Sequence, residues 1–385
     1  MKMYRKLISV YPLHTMKSQP IYLDYNSTAP LALSARKIFL EESPYGNASS
    51  QHSIGKQALK EVNLVRKILF GKFSLDSKLF DLFFHSGATE SVNTILNLEK
   101  DDCLIYYSSD HPCVTKLSKI LEEKGVKTKC LKLDNSGVID FFTLERDLEN
   151  IDFEKGKTWL NMTWLHNETG VINSLDQVAK LKDRFPQLNI HVDAVQSIGK
   201  MDAWNILNST IDAYTYSGHK FGSLKGVGFS FIKKGILRKT LLHGGGQQSG
   251  MRAGTLNTHG ILSLERALAE VDIDSSDLIE LKRKIIELLK KSVPLKIIEN
   301  DSWNTICFIH PTKKADEMLI HFDLAGLCVS SGSACSSGSI EASQTLLDMG
   351  LGELAKNSIR ISLGKRNLEQ KDELLKRLSL VLQKL

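Results

Sequence analysis

Between Leu79 and Ile232, short apolar runs alternate with segments whose apolar residues recur at helical spacing, and few architectures satisfy that pattern. The runs are Leu79–Phe84, Cys103–Tyr107, Thr158–Thr163, Asn189–Val192, Ala213–Tyr216 and Gly228–Ile232. Strands separated by helices imply an α/β fold with a mainly parallel sheet covered on both faces. A helix is expected before them over Ser53–Leu69, where Ile54, Ala58, Val62, Val65 and Leu69 recur at three- and four-residue steps. The alternation stops near Asp272–Ser276. Leu278–Leu289 then reads as an amphipathic helix capped by Ser275 or Ser276, and Leu368–Leu385 as another. The expected division is a large sheet domain over residues 31–272 and a smaller α+β domain formed by residues 1–30 with 273–385.

The 385 residues are too many for one small core, which agrees with two domains. The hydrophobic share of 42% and charged share of 24% are those of a soluble globular protein. A net charge of +6 comes from lysines scattered along helical faces, so no nucleic-acid footprint is expected. Within the basic stretch Met1–Met16, the apolar piece Leu7–Leu13 is interrupted by Ser9 and Pro12, unlike a signal peptide. No run approaches the ~20 apolar residues of a membrane span, and the expectation is a cytoplasmic protein with no membrane partner. Six cysteines without a CxxC pair suggest neither a disulfide framework nor a metal site.

Most residues able to carry chemistry fall at or just past the end of a predicted strand, where open α/β sheets bind ligands. His85-Ser-Gly-Ala88-Thr89-Glu-Ser91 opens a helix whose free N–H groups can cradle a phosphate, although a capped helix start explains it equally. Asp193, in His191-Val-Asp-Ala-Val-Gln196, ends a buried strand and either meets a cation or caps the next helix. Lys220, in Tyr214-Thr-Tyr-Ser217-Gly-His219-Lys220, follows 27 residues later. Alone it is an ordinary loop lysine; desolvated just past a strand end, its amine becomes nucleophilic near neutral pH. His111, after Asp110, either stacks on an aromatic ring and moves a proton or is structural. Gly244–Thr255 is a glycine-rich loop. Cys335 sits among small and hydroxyl residues in Cys328–Gly338, the setting of an exposed reactive thiol. Arg360, in Ser358–Gly364, suits a substrate carboxylate or a surface ion pair.

Taken in order from Ile21-Tyr-Leu-Asp-Tyr-Asn-Ser-Thr-Ala-Pro30 to Gly364, these pieces resemble the cysteine desulfurases, class V aminotransferases of the fold-type I pyridoxal 5'-phosphate enzymes. The resemblance implies that Lys220 forms the Schiff base, Asp193 pairs with the pyridine nitrogen, Gln196 bonds the ring oxygen and His111 stacks on the ring. Ala88, Thr89, Ser217 and His219 would hold the phosphate, and Thr255 would reach the neighbouring subunit's phosphate in a homodimer. Asn167 and Arg360 would bind the carboxylate of L-cysteine. Lys220 would move its Cα proton, and Cys335 would accept its sulfur as a persulfide, releasing alanine.

Four positions depart from the family's usual pattern: Asp110 stands for Glu, His166 for Asn, Gln248 for Glu and Ala253 for Ser. None removes an assigned functional group. The chain ends at Leu385, so the longer tail that docks an iron–sulfur scaffold is expected to be absent. The sulfur-acceptor protein, and whether sulfur goes to iron–sulfur clusters, thiolated tRNA or a cofactor, stay open. The alternatives are selenocysteine lyase, another class V transaminase or lyase, and a non-catalytic protein of the same fold. Cys335 argues against a plain transaminase, and no GxxxxGK[ST] loop supports a nucleotide-binding protein.

Overall fold

The structure is a computed structural model and describes residues 19–40, 44–203, 207, 209–237, 239–271, 275–332 and 342–385. The chain enters through a two-residue strand, β1 (Ile21–Tyr22), and then builds its main sheet. That sheet contains β2 (Phe80–His85), β3 (Cys103–Tyr107), β4 (Lys127–Leu131) and β5 (Thr158–Thr163). It is completed by β6 (Leu188–Asp193), β7 (Ala213–Ser217) and β8 (Gly228–Lys233). The seven strands lie in the order β2-β8-β7-β6-β5-β3-β4. Only β8 runs against its neighbours; the β7–β6, β6–β5, β5–β3 and β3–β4 pairs are parallel.

All six expected strands are present, within one residue at each end. The central ones are buried along nearly their whole length, as helices on both faces require. One strand of this sheet escaped the sequence. β4, Lys-Thr-Lys-Cys-Leu, is an exposed edge strand with only Leu131 buried, so no apolar run announces it. Its lysines leave that open edge a poor template for further pairing.

The helix expected over Ser53–Leu69 extends to Phe73 and buries Gly55, Ala58, Val62, Val65, Leu69 and Phe73. Ile54, expected on the buried stripe, is exposed, and Gly55 takes the inward position. The reason is a close backbone approach: a Cβ on Gly55 would lie 2.5 Å from the Ser50 carbonyl oxygen. The expected Leu368–Leu385 helix is two helices, Arg366–Glu369 and Lys371–Leu382, separated by the non-helical Gln370. The Ser276–Ser292 helix forms as expected, but its N-cap Ser275 makes no side-chain capping bond.

A second layer holds β9 (Lys296–Ile298), β10 (Thr305–Ile309), β11 (Leu327–Cys328) and β12 (Ser358–Ser362). β9, β10 and β12 form an antiparallel sheet, and β11 pairs with β1 in parallel. Ile21 and Leu23, from the start of the chain, share a core with Leu281, Ile306, Phe322, Ile359 and Leu378. No helix among the described residues is long and apolar enough to cross a membrane. Truncating the buried Leu69 to Ala should lower unfolding stability by about 2–5 kcal/mol, whereas Ile54→Ala should cost about 1 kcal/mol or less. Urea unfolding of the two variants checks this; equal losses would contradict the helix's orientation.

Candidate active site

Because β2, β3, β5, β6 and β7 point the same way, His85, Tyr107, Thr163, Asp193 and Ser217 end on one edge of the sheet. That edge carries nearly every residue singled out by the sequence. Asp193 is buried, and the segment after it forms turns instead of a helix, which removes the capping alternative. The Val195 N–H donates to Asp193 Oδ1 (3.0 Å), and no hydrogen bond reaches the other oxygen among the described residues. Burial holds this carboxyl above its ordinary range, against the opposing pull of Val195, His111 and Lys220. A buried carboxylate with a spare acceptor is matched by a cationic N–H such as a protonated pyridine nitrogen.

Lys220 ends a short turn, Gly218–Lys220, directly after β7. Its ammonium donates to the carbonyl oxygens of Asn26 (2.9 Å) and Ser27 (2.8 Å). Burial and then the nearby Arg360 guanidinium push its pKa down to about 8, against Asp193 and Asp24. His111 caps the Pro112–Glu123 helix, its Nδ1 accepting the Cys113 N–H (3.2 Å). The residue is exposed. The surrounding protein lowers its pKa; Asp193 opposes this and Lys220 adds to it.

A buried chain of hydrogen bonds fixes the loop before His111. Asp110 accepts from the Tyr107 N–H (3.0 Å), Asn161 Nδ2 (2.8 Å) and Thr163 Oγ1 (2.8 Å). Asn161 therefore turns its carbonyl to His191 Nδ1 (2.6 Å), and His191 Nε2 meets Thr215 Oγ1 (2.8 Å). Thr215, Ser91 and Ser230 continue the chain to His85 Nε2. Burial pushes His191 down to about 3 and His85 to about 4, so both rings are neutral links.

Ala88 and Thr89 open the eight-residue helix Ala88–Ile95, and no hydrogen bond to their N–H groups is made among the described residues. Thr89 is exposed and Ser217 is buried at the end of β7. His219 Nδ1 lies 3.2 Å from Thr28 Oγ1, and burial with nearby lysines lowers its pKa to about 4. It offers a neutral N–H to an anion, not a positive charge. Thr255 is exposed. Its loop is tied to the helix by Arg252 Nε on Glu90 Oε1 (2.8 Å) and to the sheet by Gln248. Gln248 Nε2 donates to the Phe84 carbonyl (2.9 Å) while its Oε1 accepts the Phe84 N–H (2.7 Å). A glutamate could make only the second bond, so the amide at this position has a structural cause.

Arg360 and Asn167 come together, but in a way the sequence did not show. Arg360 Nη1 donates to the Asn167 carbonyl oxygen (3.1 Å) and Nη2 to Asp24 Oδ1 (2.5 Å), leaving a buried, unpaired Nε. His166, the departure beside Asn167, is a neutral strut. Its Nδ1 accepts the Glu168 and Thr169 N–H groups, its Nε2 lies 2.9 Å from Thr345 Oγ1, and burial pushes its pKa to about 4. Cys335 lies outside the described residues. The chain leading to it passes Ser330, which pairs backbone to backbone with Arg360, and the chain after it returns at Ser343, whose hydroxyl donates to Glu168.

Three residues escaped the sequence reading. Asn26 is 2% exposed and uses every polar atom. Its N–H donates to Ser362 Oγ (3.0 Å), and its amide donates to Thr305 Oγ1 (2.8 Å) and the Asn167 carbonyl (3.0 Å). Its Oδ1 accepts Asn304 Nδ2 (3.1 Å), and its carbonyl accepts both Lys220 Nζ and Gln196 Nε2 (2.9 Å each). Asp24 and Lys200 contact Arg360 and Gln196 respectively. The run Asp24-Tyr-Asn26 was part of the resemblance, but nothing local marked its partners. Asn26→Ala should lower stability by about 2–4 kcal/mol, because several buried partners lose their bonds at once. Chemical denaturation measures this, and a loss within about 0.5 kcal/mol would contradict the network.

Comparison with known proteins agrees with this geometry and bears out the resemblance drawn from the sequence. The aminotransferase class-V family model matches residues 21–374. Cysteine desulfurase 2 of Trichormus variabilis is 34% identical, covering 91% of this chain and 89% of that protein. Cysteine desulfurase IscS of Clostridium botulinum is 30% identical, covering 92% and 91%. Among solved structures, a NifS-like protein superposes with a TM-score of 0.83 at 28% identity, covering 95% of this chain and all of that one. The NifS-like protein of Rickettsia africae gives 0.84 at 26%, covering 94% and 99%. The chain belongs to the class V aminotransferase family of pyridoxal-phosphate-dependent enzymes.

Proposed function

We propose that this enzyme is a cysteine desulfurase, converting L-cysteine to L-alanine and leaving a persulfide on Cys335. One observation carries the reading: a lysine amine pushed to about 8 shares a strand-end edge with a buried carboxylate that has a spare acceptor, in a chain similar to named cysteine desulfurases. Pyridoxal 5'-phosphate, when bound, supplies an electron sink for charge developing at the substrate's Cα. Asp193 would pair with its ring nitrogen, Gln196 would donate to its ring oxygen and His111 would flank its ring. The Ala88 and Thr89 N–H groups, with Ser217 and His219, would hold its phosphate.

The chain's own groups divide the remaining work. Arg360 and Asn167 orient the substrate carboxylate beside the strand that leads to Cys335. Lys220 takes the proton from the substrate's Cα, the step for which an amine near neutrality is suited. The Cys335 thiolate attacks the substrate sulfur, the carbon–sulfur bond breaks, and the carbon left behind is protonated to alanine. The persulfide then passes to an acceptor protein. Thr255, exposed on a loop held at Gln248 and Arg252, reaches a second subunit's phosphate in a homodimer. We place the enzyme in the cytoplasm, where thiols stay reduced.

Two measurements test this. Purified protein should absorb near ~400 nm, as a lysine-linked pyridoxal does, and Lys220→Ala should abolish the band. Incubation with cysteine and a reductant should release sulfide, and Cys335→Ala should lower the rate at least on the order of a hundredfold. Sulfide release that survives the substitution unchanged defeats the persulfide route. Loading has a signed pH dependence. The neutral Lys220 amine captures the cofactor, so the loading rate should rise with pH and level off above about 8, not near the ordinary lysine value of 10.5.

A further inference from the structure

Gln196 is held at both ends of its amide. Nε2 donates to the Asn26 carbonyl (2.9 Å), and Oε1 accepts a hydrogen bond from Lys200 Nζ. Lys200 lies four residues further along the same turn-forming segment and is 4% exposed. It has no carboxylate partner among the described residues, and its amine makes a single side-chain hydrogen bond there, the one to Gln196. Taking a lysine out of water without a counter-charge is costly. Burial, reinforced by Lys220 and Arg360, holds its pKa well below the ordinary value. Its backbone is anchored separately by the Trp303 N–H on its carbonyl (2.8 Å), so the fold secures this turn without the amine.

A glutamine amide can turn over by half a rotation, exchanging its donor and acceptor ends, and only its partners decide between the two. Here the Asn26 carbonyl accepts only, and the Lys200 amine donates. Both therefore favour the same orientation, with oxygen toward Lys200 and nitrogen toward Asn26. One N–H is used by Asn26, and among the described residues no hydrogen bond takes the other, which leaves it for a ligand oxygen. The flipped amide would set two carbonyl oxygens against each other at Asn26. With Lys200 removed, Oε1 would be a buried acceptor without a partner, and the side chain would leave this position.

We propose that Lys200 is a positioning residue for the cofactor: by holding Gln196 Oε1 it makes Gln196 present an N–H to the ring oxygen of pyridoxal phosphate. The inference rests on the role given to Gln196 above. Lys200 does not touch the cofactor; it acts through Gln196 alone. That restriction makes it testable by a double-mutant cycle.

The experiment compares Lys200→Met, Gln196→Ala and the double variant in the full-length protein. It measures the dissociation constant for pyridoxal 5'-phosphate and the absorbance maximum of the bound cofactor. Each single substitution should weaken retention on the order of threefold to tenfold, the worth of one hydrogen bond, and move the absorbance maximum the same way. The double variant should be no worse than Gln196→Ala. The inference is overturned if Lys200→Met leaves retention and spectrum unchanged while Gln196→Ala alters them, or if the two losses multiply. A silent Gln196→Ala instead removes the role of Gln196 itself, and this inference with it. Should Lys200→Met fail to fold, Lys200→Gln takes its place, because its amide N–H can still donate toward Gln196 Oε1. Retention and the absorbance maximum should then stay within about twofold of the unaltered protein, and a loss that multiplies with that of Gln196→Ala overturns the inference.

Discussion

Asn26 joins parts of the chain that are remote in sequence. Its side chain reaches Thr305 and Asn304 in the three-stranded layer, its N–H meets Ser362, and its carbonyl receives Lys220 and Gln196 from the main sheet. A buried amide in which donors and acceptors are all matched tolerates little displacement, since any shift leaves a desolvated group unpaired. The position of the Lys220 amine relative to Arg360 thus depends on an asparagine in the first described stretch of the chain. Nearby, β1 pairs with β11, and Ile21 and Leu23 share one core with Leu378 and Leu382.

A second constraint runs through the sheet itself. From Asp110 to His85, buried side chains on adjacent strands pass hydrogen bonds from one to the next. Asp110, accepting three of these bonds, is the end toward which the donors point. Burial still lifts its pKa to about 7, so desolvation outweighs the three donors. At His191 the chain leaves one proton arrangement: Nδ1 carries the proton because Asn161 offers it a carbonyl oxygen. The row anchors the turn that holds His111, and it does so with polar residues inside strands that otherwise read as apolar.

The departures from the family pattern separate cleanly in physical terms. Gln248 pairs with both backbone groups of Phe84 on the edge strand β2, which a carboxylate cannot do. His166 is a neutral strut between the turn at residues 166–171 and the Gln344–Asp348 helix, and it leaves the Asn167 carbonyl directed at Arg360 and Asn26. Neither touches the groups that handle the reaction. Both act on the placement of neighbouring backbone.

The strands β5, β6 and β7 were legible in the sequence because burial on both faces demands continuous apolar runs, and Asp193 and Lys220 stood out as costly groups at the ends of such runs. Their order along the chain, with His111 and Cys335, was enough to name the family and its cofactor. The polar edge strand β4, the inward turn of Gly55 and the break at Gln370 were not legible, because each answers to a neighbour distant in sequence or to solvent. The partners of Asn26, Lys200, Gln248 and Arg360 were equally hidden. A hydrogen bond's partner is a matter of position in space, and the residue type states only that some partner is needed. The sequence by itself thus determined the chemistry this protein carries. The tertiary structure decided which carbonyl receives the Lys220 amine, which way the Gln196 amide faces and what Arg360 holds, since those depend on where distant backbone arrives.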